Sequence, residues 1–179
     1  MKVKLEERYF KQEELGASER PYQALAKTLQ ETFTLTSVFD AGCRDAKLLK
    51  ALNNLNLNLQ LSGCDYFQWA VDSAEQEVRN LVFQHDLRDK LDIDNKYDLV
   101  VAADVLYAGM DGLFARTLAS HLPSRDEIDG QQPPDALLAC PFRKDSPLYN
   151  FFGNAYRLGL VFKRLEDANG NAVHLEFVV

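Results

Sequence analysis

The most constraining feature of the sequence is a near-continuous apolar run over residues 97–103, Tyr-Asp-Leu-Val-Val-Ala-Ala. A strand that is buried on both faces has this pattern, as in a parallel sheet covered by helices on each side. We therefore expect residues 97–103 to form a central strand. Elsewhere, short apolar segments alternate along the chain with segments whose apolar residues recur at helical spacing. That alternation predicts a sheet with helices on both faces and right-handed crossovers between parallel strands.

The other elements of this alternating pattern are short. Further parallel strands are predicted at residues 37–40, 57–65, 81–83 and 136–140. Helices are predicted at residues 21–33, 48–55, 69–77, 111–122 and 146–159.

The last part of the sequence has a different signature. Two strand-like runs, Leu160–Glu166 and Val173–Val179, are joined by a polar segment that contains Asn169-Gly170. Asn-Gly between such runs is a strong hairpin signal, so these two strands are expected to be antiparallel. The predicted fold class is α/β, a doubly wound, Rossmann-like and mostly parallel seven-stranded sheet with a C-terminal antiparallel hairpin.

Length and composition indicate one domain. The chain has 179 residues, of which 46% are hydrophobic and 26% are charged, as is usual for a globular domain. We expect a single domain over residues 20–179, preceded by a charged lead-in at residues 1–19 that either is mobile or folds over a ligand as a lid. We expect a monomer or a weak dimer.

Charge and apolar patterning exclude several classes of partner. A net charge of −7 argues against a protein that grips duplex nucleic acid, because such binding neutralises phosphates. No stretch approaches the roughly 20 apolar residues of a membrane helix, and the charged N-terminus does not resemble a signal peptide. We therefore expect a cytoplasmic protein. The three cysteines lack a CxxC spacing, so they are predicted to be small buried thiols, and no metal site is expected.

In a doubly wound sheet, a ligand lies at the carboxyl ends of the strands. The candidate residues there are Asp40, Ala41 and Gly42 after the first strand, Asp65 after the second, Asp86 after the third and Asp104 after the fourth. An acid after the second strand is the usual partner of a ribose diol. The bend Gly42-Cys43-Arg44-Asp45-Ala46 has one glycine, whereas a diphosphate cradle of the G-x-G-x-x-G type has three. This argues against a nicotinamide dinucleotide.

Four segments together resemble the successive motifs of class I, seven-strand methyltransferases that use S-adenosyl-L-methionine. They are VFDAGCRDAKLL, LSGCDYF, FQHDL and YDLVVAADVLY, and the resemblance extends from about Val38 to Val179. It implies S-adenosyl-L-methionine as the cofactor. The residues that it implies for the cofactor site are Asp40, Ala41 and Gly42 for the methionine part, Asp65 and the adjoining Tyr66 for the ribose side, Asp86 and Leu87 for adenine, and Ala103 beside the sulfonium.

The sequence DVLY at residues 104–107 is similar to the D/E-x-x-Y/F motif of one branch of protein-lysine methyltransferases. That similarity implies Asp104 and Tyr107 as catalytic residues that line an amine pocket, Asp104 to orient the amine and Tyr107 to supply an aromatic wall. Methyl transfer to an amine, most plausibly a protein lysine, is the function expected from this resemblance. Simple packing is the alternative for Tyr107.

Two substitutions keep other functions open. The family pattern usually has glycine where this chain has Arg44 and Ala46, and the bend has to pass close to the cofactor. A methyltransferase-like binding or scaffold subunit without catalysis is therefore one alternative. A small-molecule methyltransferase is another, because the sequence does not reveal the methyl acceptor. Turn or capping roles are the corresponding alternatives for Asp40 and Asp65, and a solvated loop for Asp86.

Overall fold

The structure is a computed structural model. It describes residues 20–56, 58–93, 95–103, 105, 111–122, 135–139, 148–160, 162–166 and 172–178. The predicted lead-in at residues 1–19 lies outside this part of the chain. The strands are β1 (Ser37–Ala41), β2 (Gln60–Asp65), β3 (Val82–Gln84), β4 (Leu99–Ala103), β5 (Asp135–Ala139), β6 (Phe162–Glu166) and β7 (Ala172–Val178). The helices are α1 (Arg20–Thr32), α2 (Lys47–Leu55), α3 (Gln68–Asp72), α4 (Asp111–His121) and α5 (Leu148–Arg157), with a 3-10 turn at Arg79–Leu81.

The strands form one sheet in the order β3-β2-β1-β4-β5-β7-β6. Neighbouring strands from β3 to β5 are parallel, and β7 runs antiparallel to both β5 and β6. The chain order reverses between β1 and β4, where a ligand crevice is expected in such a sheet. The predicted Rossmann-like α/β architecture with a parallel sheet is confirmed.

The central strands are buried on both faces, as the apolar run predicted. In β1 and β4, Phe39 and Val100 contribute to one core cluster, with Phe114 of α4 and Phe151 of α5. Their neighbours along the strands, such as Leu99, contribute to a second cluster. Successive strand residues point to opposite faces, so the two clusters are the two sides of one sheet.

Several element boundaries differ from the sequence prediction. β2 begins at Gln60 rather than at residue 57, because the Asn56 side chain accepts the main-chain N–H of Asn58 at 3.0 Å and forms a turn there. The predicted helix at residues 69–77 ends at Asp72, where the Ser73 hydroxyl donates to the carbonyl oxygen of Trp69 at 2.6 Å. β4 starts two residues later than predicted.

The late start of β4 has a physical cause. The Tyr97 main-chain N–H donates to the carbonyl oxygen of His121 at the end of α4. The Asp98 carboxylate then faces the start of β1, where Oδ2 accepts the main-chain N–H groups of Thr36 and Ser37 and the hydroxyl of Thr36. These contacts fix the amino ends of β1 and β4. Within the described residues, no helix has the length and apolar character needed to cross a membrane.

Candidate functional site

The bend after β1 is tied to the end of β2. The main-chain N–H groups of Gly42 and Cys43 both donate to the carbonyl oxygen of Cys64, at 2.8 and 3.0 Å. Gly42 has a φ of +81°, and a Cβ at this position would lie 2.6 Å from Cγ1 of Val105. Backbone conformation and lack of space both require glycine here. The single glycine of the bend therefore lets the segment after β4 pass close to β1.

The bend has the left-handed backbone conformation that is typical of glycine at two positions that are not glycine. Arg44 has a φ of 52° and Ala46 a φ of 59°, both in the left-handed region. These are the two positions at which the resemblance leads one to expect glycine. A left-handed residue with a Cβ costs roughly 1–2 kcal/mol, so the surrounding contacts must stabilise this conformation. The departure from the family pattern thus changes the side chains of the bend and keeps its backbone course.

Asp65, the last residue of β2, has a half-buried carboxylate that links two loops. Its Oδ2 accepts the main-chain N–H of Arg44 at 3.0 Å, and its Oδ1 accepts the main-chain N–H of Phe67 at 2.9 Å. Burial raises the pKa of Asp65, while the hydrogen bonds from Phe67 and Arg44 and the Arg44 charge oppose that rise. An ionised carboxylate offers about four lone pairs. The main-chain donors therefore do not saturate the carboxylate, which can accept a further donor from a ligand.

Asp40 lies on the neighbouring strand and is only 6% exposed. Removal from water, together with the charge of Asp65, raises the pKa of Asp40 to about 7. In the β1–β2 register Asp40 pairs with Gly63, and a Cβ on Gly63 would lie 2.9 Å from the Asp40 carbonyl oxygen. The two carboxyl groups therefore lie near the carboxyl ends of neighbouring strands, which gives this edge of the sheet a negative potential near neutral pH.

The end of β3 supplies a third acidic position. The main-chain N–H of His85 donates to the carbonyl oxygen of Asp65 at 2.9 Å, so this loop starts beside β2. The Asp86 carboxylate is paired with the Arg88 guanidinium, and hydrogen bonds from Arg88 lower the pKa of Asp86. Leu87, predicted to meet adenine, has a side chain that is 6% exposed and belongs to the core. Only the main chain of Leu87 can therefore contact a ligand at this edge of the sheet.

An exposed aromatic residue, Tyr66, lies at the ends of β2 and β3. Tyr66 is 50% exposed, and its ring makes an edge contact with Phe67 at a centroid distance of 4.9 Å. The Arg88 guanidinium carbon lies 5.6 Å from the centroid of the Tyr66 ring. Gln84 donates from Nε2 to the Tyr66 carbonyl oxygen at 3.1 Å. Tyr66 is thus held between the ends of β2 and β3.

Most of the predicted site residues converge on one edge of the sheet. Because β1, β2 and β3 are adjacent and parallel, their carboxyl ends meet, and Ala103 ends β4 on the other side of β1. Ala41 is 1% exposed, so only its main chain can face a ligand. Asp104 and Tyr107, the predicted catalytic residues, lie outside the described residues. The residues brought to this edge are Asp40, Ala41, Gly42, Asp65, Tyr66, Asp86, Leu87 and Ala103.

Sequence reasoning missed Arg88. It stands two residues after Asp86 in a segment that had the character of a solvated loop, and spacing alone does not show which surface acid an arginine will contact. The cysteine prediction is confirmed for two residues: Cys43 and Cys64 are buried free thiols. Burial raises the pKa of Cys64 to about 12 and that of Cys43 further. Neither is a thiolate near neutral pH. Cys140 lies outside the described residues.

Solved structures resemble this chain over nearly its whole length. A TehB-like SAM-dependent methyltransferase from Corynebacterium glutamicum has a TM-score of 0.66 at 17% identity, covering 98% of this chain and 94% of the other. DesVI of Streptomyces venezuelae has a TM-score of 0.68 at 14% identity, covering 95% and 96%. The sugar N-methyltransferase KedS8 from a Streptoalloteichus species has a TM-score of 0.65 at 14% identity, covering 92% and 87%.

Comparison by sequence gives no further relationship. No protein-family model matches the chain, and no curated protein matches it. At 12 to 17% identity, the structural neighbours establish a shared architecture. The chain therefore has the fold of the class I S-adenosylmethionine-dependent methyltransferases.

Proposed function

We propose that the protein is an S-adenosyl-L-methionine-dependent methyltransferase that acts on an amine. The observation that carries this proposal is the Asp65 carboxylate, which is half-buried at the end of β2 and is not saturated by its main-chain donors. A ribose diol presents neighbouring hydroxyl donors, which suit such a carboxylate. The fold, shared with methyltransferases, supports the same assignment.

The residues present fit an adenosyl cofactor. The bend at Gly42 to Ala46 would border its methionine part, Asp65 its ribose, and Tyr66 with Asp86 its base. The glycine-type backbone at Arg44 and Ala46 gives the bend the course that the resemblance requires. When bound, this cofactor supplies an activated methyl group on a sulfonium, so the protein needs to provide orientation and to exclude water.

The charge of the crevice also suits this ligand. Asp65 and Asp40 lie on neighbouring strands, and the charge of Asp65 raises the electrostatic cost of ionising Asp40. A cationic ligand near them lowers that cost, because opposite charges stabilise the ionised form of a carboxyl group. A sulfonium carries such a charge, whereas the product of methyl transfer has lost it. We therefore expect the crevice to hold the donor more tightly than its demethylated product at pH 8.

For the acceptor we propose an amine on a small molecule. One structural neighbour is named as a sugar N-methyltransferase. A protein lysine, implied by the DVLY motif, is the second acceptor class for which Asp104 and Tyr107 are proposed as pocket residues. Only a neutral amine has the lone pair that accepts a methyl group, and a lysine amine, with an ordinary pKa of about 10.4, has to lose a proton first. A carboxylate such as Asp104 would orient the amine by accepting a hydrogen bond from it.

Calorimetric titration with S-adenosylmethionine and S-adenosylhomocysteine tests the proposal. We expect the unchanged protein to bind both ligands and the Asp65→Ala variant to bind at least tenfold more weakly, since hydrogen bonds to a charged group contribute about 1.5–3 kcal/mol. Asp72→Asn is the matched control, because Asp72 is an exposed acid on α3 that contacts Gln68. That variant should bind as the parent does.

Turnover is then measured as formation of S-adenosylhomocysteine with a panel of amino sugars and a panel of lysine peptides. Release of product with one panel and not the other assigns the acceptor class. Binding of the cofactor without turnover on any amine would instead favour the binding-subunit alternative. No binding of either nucleoside at millimolar concentration would contradict the proposal as a whole.

A further inference from the structure

Arg88 joins the two residues that are proposed to meet the cofactor base. Its Nε lies 2.9 Å from each oxygen of Asp86, and its Nη2 lies 2.5 Å from Oδ2. Its main-chain N–H donates to Oδ1 of Asp86 at 3.0 Å. The same guanidinium lies over the Tyr66 ring, 5.6 Å from its centroid. One side chain thus connects the loop after β3 to the residue that follows β2.

These contacts occupy most of the acceptor capacity of Asp86. An ionised carboxylate offers about four lone pairs. Arg88 directs three N–H groups at them: its main-chain N–H at Oδ1, its Nη2 at Oδ2, and its single Nε–H, which is shared between the two oxygens. The 6-amino group of adenine is a donor that needs one of these lone pairs, and it competes for it with the shared Nε–H. A 6-oxo purine has an acceptor at that position and can receive an N–H from Arg88 while the pair stays intact.

We propose that Arg88 is a specificity-determining residue at the base end of the crevice. Arg88 competes with the amino group of adenine for Asp86. It therefore lowers the affinity for an adenosyl ligand relative to that for an inosyl ligand. This inference rests on the proposed function, since it places the base of the cofactor beside Tyr66 and Asp86. It concerns only whether the protein prefers a 6-amino or a 6-oxo purine.

The size of the effect follows from exposure. The side chains of Arg88 and Asp86 are 51% and 22% exposed, so water and salt screen the pair and its competition with a ligand is modest. For an exposed pair of this kind we expect about a two- to fivefold effect on affinity. The cation–π contact with the Tyr66 ring further restrains the Arg88 side chain when no ligand is bound.

The experiment measures Kd by calorimetry for S-adenosylhomocysteine and S-inosylhomocysteine. Arg88→Met keeps the aliphatic stem and removes every side-chain donor. We expect this variant to bind the adenosyl ligand about two- to fivefold more tightly than the parent and the inosyl ligand no more tightly. Lys90→Met is the matched control, because Lys90 belongs to another exposed pair in the same loop, with Asp92 at 3.6 Å. It should leave the ratio of the two Kd values unchanged.

A double-mutant cycle isolates the competition. In an Asp86→Ala background, Arg88→Met should no longer raise the affinity for S-adenosylhomocysteine, because the group for which the two donors compete is gone. An unchanged ratio in Arg88→Met, or a gain that persists without Asp86, would overturn the role of Arg88 while leaving the proposed function intact. Absence of binding of both ligands to the parent protein would overturn both.

Discussion

The main-chain N–H of Arg44 donates a hydrogen bond of 3.0 Å to Oδ2 of Asp65. A residue in the bend after β1 thereby orients the carboxylate that ends β2. Arg44 makes this contact from a left-handed backbone with a φ of 52°, which costs free energy for any residue that has a Cβ. Strain that the surrounding structure maintains is typical of ligand-binding segments. The proposed ribose contact and the strained bend are therefore parts of one local structure.

The first prediction compares glycine with alanine at position 44. Both substitutions remove the arginine side chain, so their difference reports the backbone alone. We expect Arg44→Gly to be more stable than Arg44→Ala by about 1 kcal/mol, because glycine adopts positive φ without a steric penalty. Urea denaturation of the two variants measures the free energies of unfolding.

Lys27 provides the control for this comparison. It is an exposed residue within α1, and in an ordinary helix alanine exceeds glycine in stability by about 0.5–1 kcal/mol. Lys27→Ala should therefore be more stable than Lys27→Gly, the reverse of the order at position 44. The same order at both positions would contradict the left-handed conformation of Arg44.

The second prediction concerns Asp98, which holds the amino ends of the central strands together. Its Oδ2 accepts the Thr36 N–H at 2.8 Å, the Thr36 hydroxyl at 2.6 Å and the Ser37 N–H at 2.9 Å. Hydrogen bonds to a charged acceptor contribute about 1.5–3 kcal/mol. We expect Asp98→Ala to lower the free energy of unfolding by about 2 kcal/mol and the Tm by roughly 5 °C, as measured by thermal and urea denaturation.

Asp92→Ala is the control for that loss. Asp92 is an exposed acid whose contact with Lys90 spans 3.6 Å, and exposed pairs of this kind contribute little. Its replacement should change the Tm by less than about 1 °C. Equal destabilisation by the two substitutions would show that the Asp98 contacts do not hold β1 to β4.

The parts of the fold that depend on local pattern could be predicted from the sequence. The apolar run that ends at Ala103 identified β4 and its burial on both faces, and the acids after β1 and β2 identified the edge where Asp40 and Asp65 meet. These inferences need only periodicity and the geometry of parallel strands.

Other features depend on contacts between segments that no local pattern encodes. The positive φ of Arg44 and Ala46 was not predictable, because left-handed backbone is inferred from glycine and neither residue is glycine. The pairing of Arg88 with Asp86 over the Tyr66 ring requires the ends of β2 and β3 to be in place first. The early end of α3 at Asp72 reflects a competing hydrogen bond from Ser73, which helical periodicity does not report.

The third prediction is a pH dependence that originates at Asp40. Burial and the nearby charge of Asp65 raise the pKa of Asp40 to about 7 from an ordinary value of 3.8. The folded protein therefore binds more protons than the unfolded chain between about pH 4 and pH 7, and the free energy of unfolding decreases as pH rises through that window. Above pH 7 this contribution is constant, and it amounts to at most about 4 kcal/mol.

Asp40→Asn removes the titrating group while keeping its size and shape. We expect the variant to match the parent in stability near pH 4 and to exceed it increasingly up to pH 7, with a constant difference above that, as measured by urea denaturation at each pH. Asp72→Asn is the control, since Asp72 is exposed on α3, and its stability curve should run parallel to that of the parent. A curve for Asp40→Asn that is also parallel would mean that the carboxyl group of Asp40 titrates alike in the folded and unfolded chains, which would contradict its burial beside Asp65.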